Sequence, residues 1–149
     1  DAFLLYRCNF LVNGGTGMVI FRAIFNKPTI NAEVYRSHAN WFKSDLAIIQ
    51  RVNILEDDRI ATISEMVAMT DQFSDERHQA RLGVTLMKNT AEEILDVFDE
   101  MEARENGTWV TTPEDEELQQ KYWSLITNTG HHGGRIGAQF LRDNQDLLR

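Results

Sequence analysis

Residues Phe10–Met18 have the sequence FLVNGGTGM, and this stretch decides the fold. A short apolar run, Phe10–Val12, is followed by three glycines and a threonine, and an apolar-periodic segment then begins at Met18. The pattern predicts a strand at Phe10–Val12, a tight turn, and a helix at Thr16–Phe25. A glycine turn that leads into a helix presents backbone N–H groups and the positive end of the helix to a phosphate. The alternative is a tight strand-to-helix connection without a ligand.

The helix is followed at once by a second strand. The sequence KPTI at Lys27–Ile30 ends the helix, because proline has no backbone N–H and restricts the residue before it. We therefore expect a strand at Pro28–Val34. A strand-helix-strand unit that starts at residue 10, in a chain whose first residue is Asp1, leads us to expect a piece of a longer protein.

The composition is that of a single globular domain. The chain has 149 residues, of which 42% are hydrophobic and 26% are charged. No apolar run approaches the roughly 20 residues that a membrane-spanning helix needs, and the N-terminus does not resemble a secretion signal. The one cysteine, Cys8, excludes an internal disulfide and fits a reducing compartment, so we expect a cytoplasmic protein.

The charge balance argues against general nucleic-acid binding. The formal net charge is −8, with 23 acidic and 15 basic residues, whereas nucleic-acid binding needs a basic face. Eleven of the 23 acidic residues lie in two runs, Glu92–Glu105 and Glu114–Glu117, which we interpret as solvated helix faces.

Capping motifs predict three further helices. Thr62 and Glu65 have the spacing of a capping box and predict a short helix at Ser64–Met69. Thr90 and Glu93 form a second box, and Asn106-Gly107 would end that helix. A third helix begins at Thr112-Pro113.

The apolar residues of these segments predict the buried faces. We expect the helix after Thr90 to bury Ile94, Leu95, Phe98 and Met101. The helix after Thr112 would bury Leu118, Tyr122, Leu125 and Ile126, and a last helix would bury Ile136, Phe140 and Leu141. Val84–Met87 has the length of a strand, Leu46–Ile49 fits a strand or a helical turn, and Ala2–Cys8 fits either a helix or a strand.

The order of elements predicts an α/β fold with a mainly parallel sheet and C-terminal helices. We expect one domain over residues 1–149. Only three or four strands are visible, about half of a complete Rossmann-like domain, which again indicates a larger parent protein.

Several motifs together resemble the C-terminal half of a family of bacterial glycosyltransferases associated with surface-polysaccharide genes. The resemblance covers most of the chain and is weakest between residues 35 and 80. The segments that carry it are Gly14–Gly17, Phe25–Pro28, Asn31, Asn89–Met101, Thr112–Gln119 and Arg135–Leu148.

The resemblance implies a two-domain fold of the GT-B type, in which this chain would be the Rossmann-like half that binds a nucleotide-sugar. The family's glycine turn matches Gly15, Thr16 and Gly17, with Gly14 as an additional glycine. Arg7 is the cation that most closely precedes the turn. We expect no metal and no cofactor, and the resemblance implies that a missing N-terminal domain supplies the general base. The fragment alone would then be inactive, and the acceptor stays unknown.

Other patterns favour no site. Glu92 and Glu100 have the spacing of a paired-glutamate motif, but we place both on the outer face of a helix. His131-His132 lacks the spaced partners of a metal site, and Asp57-Asp58 lacks the spacing expected of a metal-nucleotide site. A second function class stays open, a non-catalytic α/β interaction module whose acidic helices serve assembly.

Overall fold

A computed structural model of the protein describes residues 2–14, 19–34, 42–69, 76–126 and 133–149. The helices in these ranges are α1 (Ala2–Arg7), α2 (Val19–Phe25), α3 (Ile63–Met69), α4 (Glu76–Leu82), α5 (Ala91–Glu105), α6 (Pro113–Leu125) and α7 (Ala138–Asp143), with a 3-10 turn at Gln145–Leu147. The strands are β1 (Leu11–Asn13), β2 (Thr29–Val34), β3 (Leu46–Ile49), β4 (Arg51–Ile54), β5 (Arg59–Ile60), β6 (Val84–Met87) and β7 (Arg135–Ile136).

The first sheet is parallel throughout and confirms the α/β prediction. Its strand order is β1-β2-β3-β7, and all three neighbouring pairs are parallel. All four residues of β3 are buried, which is typical of an inner parallel strand that is covered on both faces. The strand predicted at Phe10–Val12 lies one residue further along the chain, and the strand predicted at Pro28–Val34 is confirmed.

A second, antiparallel sheet was not predicted. After β3 a single residue, Gln50, leads directly into β4, which pairs with β5 on one side and β6 on the other. The predicted strand at Val84–Met87 is confirmed, but it belongs to this second sheet and runs antiparallel to β4. The sequence of β4 and β5 lies in a region with little apolar periodicity, which is why both strands were missed.

The helix starts predicted at Thr90 and Thr112 are confirmed by hydrogen bonds. Reciprocal capping boxes join Thr90 to Glu93 and Thr112 to Asp115. Each box satisfies N–H groups that the first turn of a helix would otherwise leave unpaired. At the other end of α5, Gly107 has a φ of 70°, a left-handed conformation that favours glycine after a helix.

The prediction for the buried face of α5 was partly wrong. Met101 is buried, but Leu95 is 59% exposed and Phe98 is 37% exposed. Val97 and Glu100 are buried instead of Leu95 and Phe98. The stripe that includes Val97 and Met101 is also helical in period, so the sequence alone allowed two faces, and packing against β3 and α7 selects one of them.

The final helix was also predicted too early. Ile136 belongs to β7, the fourth strand of the parallel sheet, and α7 begins at Ala138. The backbone N–H of Arg135 donates to the carbonyl of Asp45, and that of Gly137 donates to the carbonyl of Ala47. These bonds to β3 and the residue before it require an extended backbone, which a helix cannot provide.

The outward-facing backbone of β7 is satisfied by buried side chains. Successive N–H groups of a strand point to opposite sides, so the N–H of Ile136 faces away from β3. It donates to Oε1 of Gln119 on α6 at 2.9 Å, and Gln119 is 1% exposed. The N–H of Ala138 donates to Oε2 of Glu100 at 2.6 Å. Glu100 is therefore buried, and its predicted place on the outer face of α5 was wrong.

We expect opposite outcomes from two truncations on the same helix. Met101→Ala should lower the free energy of unfolding by about 2–5 kcal/mol, because it leaves a cavity in the core. Leu95→Ala removes an exposed side chain and should change it by less than about 0.5 kcal/mol. Urea denaturation of both variants measures the difference, and equal losses would contradict this orientation of α5.

The neighbouring pair Gln119 and Gln120 offers a second test. Gln119→Leu leaves the buried N–H of Ile136 without an acceptor, so the free energy of unfolding should fall by about 1–3 kcal/mol. Gln120 is exposed, and Gln120→Leu should have an effect within about 0.5 kcal/mol. If the two variants are equally stable, Gln119 does not hold β7.

Candidate functional site

The candidate site lies at the carboxyl ends of the parallel strands, where open α/β sheets bind ligands. β1 ends at Asn13, and Gly14 follows it as an exposed residue. Across the same edge, Nδ2 of Asn13 donates to Oδ1 of Asn31 on β2 at 3.4 Å. This bond joins the last residue of β1 to the middle of β2, the strand that follows α2.

Gly14 is not required by packing. A Cβ atom at this position would meet none of the described residues within 4 Å, and the backbone is not left-handed. The described part of the chain therefore leaves space beside Gly14. The other three residues of the predicted turn, Gly15, Thr16 and Gly17, lie outside the described residues, so their role stays a prediction.

The side chain of Arg7 is exposed, but no described contact connects it to the candidate site. It lies in the last turn of α1 and is exposed. Within the described ranges, no hydrogen bond or ion pair connects the side chain of Arg7 to another residue. Its proposed contact with a ligand stays a prediction.

A buried ion pair fixes the helix that follows the turn. Nη1 of Arg22 on α2 lies 2.6 Å from Oδ2 of Asp45, and the two side chains are 4% and 0% exposed. The Arg22 guanidinium also lies 3.9 Å from the centre of the Phe42 ring, and its Nε donates to the carbonyl of Lys27. Arg22 therefore fastens α2 to the residue before β3 and is not available to a ligand.

Burial changes the acid-base properties of this pair. Removal from water raises the pKa of Asp45 to about 6, and the neighbouring Arg22 charge only partly offsets that effect. The same burial lowers the pKa of Arg22. No local pattern could have predicted the pair, because its members are 23 positions apart and Asp45 stands alone before an apolar strand.

The other candidates from the sequence contribute no assembled site. His131 and His132 lie outside the described residues. In the ranges that the structure covers, no three His, Cys, Asp or Glu side chains are grouped so that they could hold a metal ion. Glu92 is exposed and Glu100 is buried under α7, so the two glutamates do not face one space.

No helix in the described part of the chain has the length and apolar character needed to cross a membrane. Comparison of the chain with models of known protein families, with curated proteins and with solved structures gives no match. The interpretation of the site therefore rests on the residues and contacts of this chain.

The raised pKa of Asp45 predicts a specific pH dependence. A carboxyl group whose pKa is higher in the folded state than in the unfolded chain stabilises the fold most when it is protonated. Between about pH 4 and pH 6 its contribution to the free energy of unfolding should therefore fall as the pH rises, by at most about 1.4 kcal/mol per pH unit.

Denaturation of the wild type and of Asp45→Asn over pH 4–8 measures this contribution as the difference between the two proteins. The asparagine cannot titrate, so the difference should change between pH 4 and 6 and be constant above. A difference that does not depend on pH would show that Asp45 titrates at the same pH in both states.

Proposed function

We propose that this chain is the donor-binding part of a glycosyltransferase that transfers a sugar from a nucleotide-sugar to an acceptor. The observation that carries the proposal is the parallel β1-α2-β2 unit, with Gly14 and the predicted turn at the carboxyl end of β1. Phosphate groups bind at such a position because backbone N–H groups and the helix end converge there. The motifs that resemble bacterial glycosyltransferases specify the class of donor.

In this proposal the turn holds the diphosphate of the donor. Glycine residues let the backbone approach the phosphate oxygens closely, and Thr16 adds a hydroxyl donor. As the sugar leaves, negative charge grows on the diphosphate, and fixed N–H groups stabilise that charge. The buried Arg22–Asp45 pair supports the turn, because it holds the following helix against the sheet.

We further propose that the chain corresponds to the C-terminal, Rossmann-like half of a GT-B enzyme. The general base and the acceptor site would then belong to an N-terminal domain that is not in this sequence. The chain by itself would bind the donor without transferring the sugar. Neither a metal ion nor a cofactor has a role in this scheme.

A specific observation also favours the second candidate, a non-catalytic interaction module. Apolar side chains on α1 and α2 are exposed, among them Phe3, Leu4, Ile20 and Ile24, each at 64% or more. Exposed apolar residues on neighbouring helices are typical of surfaces that contact another protein. An interaction module would not need an affinity for nucleotides.

Thr16→Val separates the two functions. It keeps the shape of the side chain but removes the hydroxyl, so nucleoside-diphosphate affinity should fall about ten- to a hundredfold if Thr16 bonds a charged phosphate. The measurement is a calorimetric titration of the folded chain with uridine and guanosine diphosphates, or of the longer parent protein. Thr85→Val, at an exposed position of β6, is the matched control and should leave the affinity unchanged.

Wild-type protein that binds no nucleoside diphosphate, together with a stable oligomer in solution, would favour the interaction module. If wild type and Thr16→Val bind nucleoside diphosphates with equal affinity, the turn is a strand-to-helix connection in which Thr16 does not contact a phosphate.

A further inference from the structure

A polar cavity lies at the amino ends of the parallel strands, opposite to the predicted donor site. It has a volume of about 190 Å³ and lies between the first residues of β3 and β7 and the C-terminal turn of α5. The predicted donor site lies at the carboxyl end of β1, whereas Leu46 and Arg135 line this cavity at the amino ends of their strands. The two sites share none of their lining residues.

Three cationic side chains from separate parts of the chain line the cavity. They are Lys43, before β3, Arg104, on α5, and Arg135, on β7. Their convergence is not a consequence of the overall charge, because the chain as a whole carries a net charge of −8. The cavity is therefore a local concentration of positive groups in an acidic protein.

Both arginines are held in fixed orientations. Nη2 of Arg104 lies 2.7 Å from Oε1 of the buried Glu100, and its guanidinium lies 5.2 Å from the ring centre of Trp109. Arg135 pairs with Glu116 at 2.8 Å and lies near the Trp123 ring in the same way. A guanidinium that is already oriented loses little conformational entropy when it binds an anion.

Donor groups remain for a ligand after these contacts. A guanidinium has five N–H donors. In Arg104, the atoms that contact Glu100 are Nε and Nη2. Within the described ranges, Nη1 of Arg104 and the ammonium of Lys43 have no acceptor. Two acidic residues also line the wall: Asp45, whose Oδ2 pairs with Arg22, and Glu105, whose negative charge opposes an anion.

We propose that this cavity binds a small phosphate-bearing anion between Lys43 and Arg104. Its volume is below the roughly 300–1,000 Å³ of pockets that enclose a drug-sized ligand, so it suits a phosphate group with little attached to it. A lysine and an oriented arginine together supply the charge and the directed donors that a phosphate needs. This proposal does not depend on the proposed donor site.

The experiment is a calorimetric titration of the folded chain with inorganic phosphate at pH 7.5 and low ionic strength. Wild-type protein should bind phosphate saturably. Lys43→Met should weaken binding about tenfold or more, because one charge-assisted contact is lost. The control is Lys88→Met, which removes an exposed lysine between β6 and α5 and should leave the affinity unchanged.

Glu105→Gln provides a test of the opposite sign. It removes the acidic group that faces the cavity, so phosphate should bind more tightly than to the wild type. Lys43 and Glu105 are both exposed, so neither substitution disturbs the core. Thr16→Val should leave the Lys43-dependent phosphate binding unchanged, which separates this site from the donor site.

No phosphate binding to wild-type protein would overturn the proposal. Equal affinities of wild type and Lys43→Met, or weaker binding to Glu105→Gln, would also overturn it.

Discussion

The parallel sheet depends on hydrogen-bond acceptors for the backbone N–H groups of its edge strand β7. β7 has only two residues, and its inward bonds to β3 leave the N–H of Ile136 pointing away from the sheet. Without an acceptor, that buried group would cost about as much as a short strand gains. Gln119 from α6 and Glu100 from α5 accept the N–H groups of Ile136 and Ala138. The two helices therefore complete the sheet edge that they cover.

The strand at the other edge of the sheet, β1, is less buried than β7. Among the strands that the structure describes, β1 pairs only with β2, and Val12 in its centre is 52% exposed. The adjoining α1 contributes no buried residue, and α2 is held largely through the buried Arg22–Asp45 pair. Segments with few buried apolar contacts open at low free-energy cost. The elements that flank the predicted ligand turn, β1 and α2, thus belong to the less buried side of the sheet, whereas the side covered by α5 and α6 is closely packed.

Local sequence signals predicted the element types well, because capping boxes and turn glycines act within a few residues. Long-range polar contacts explain part of the errors, whereas β4 and β5 were missed because their region has little apolar periodicity. Glu100 looks like part of a solvated acidic run, and only the distant N–H of Ala138 explains its burial. The sequence around Ile136 is typical of a helix start, but Ile136 pairs with Ala47 of β3 as part of a strand. At the candidate site, the sequence identified Gly14 at the end of β1, but it gave no sign that Arg22 is occupied by Asp45.

Asp45 links α2 to the cavity at the amino ends of the strands. Its carboxylate pairs with Arg22 in the last turn of α2, and the residue also lines that cavity. A buried pair breaks at high cost when one partner alone is removed, because the remaining charge stays in a poorly solvated place. The pair therefore gives α2 a fixed position relative to β3. Ligands at the two ends of the strands would contact different side chains, and the described partners of Asp45 all lie at the amino end.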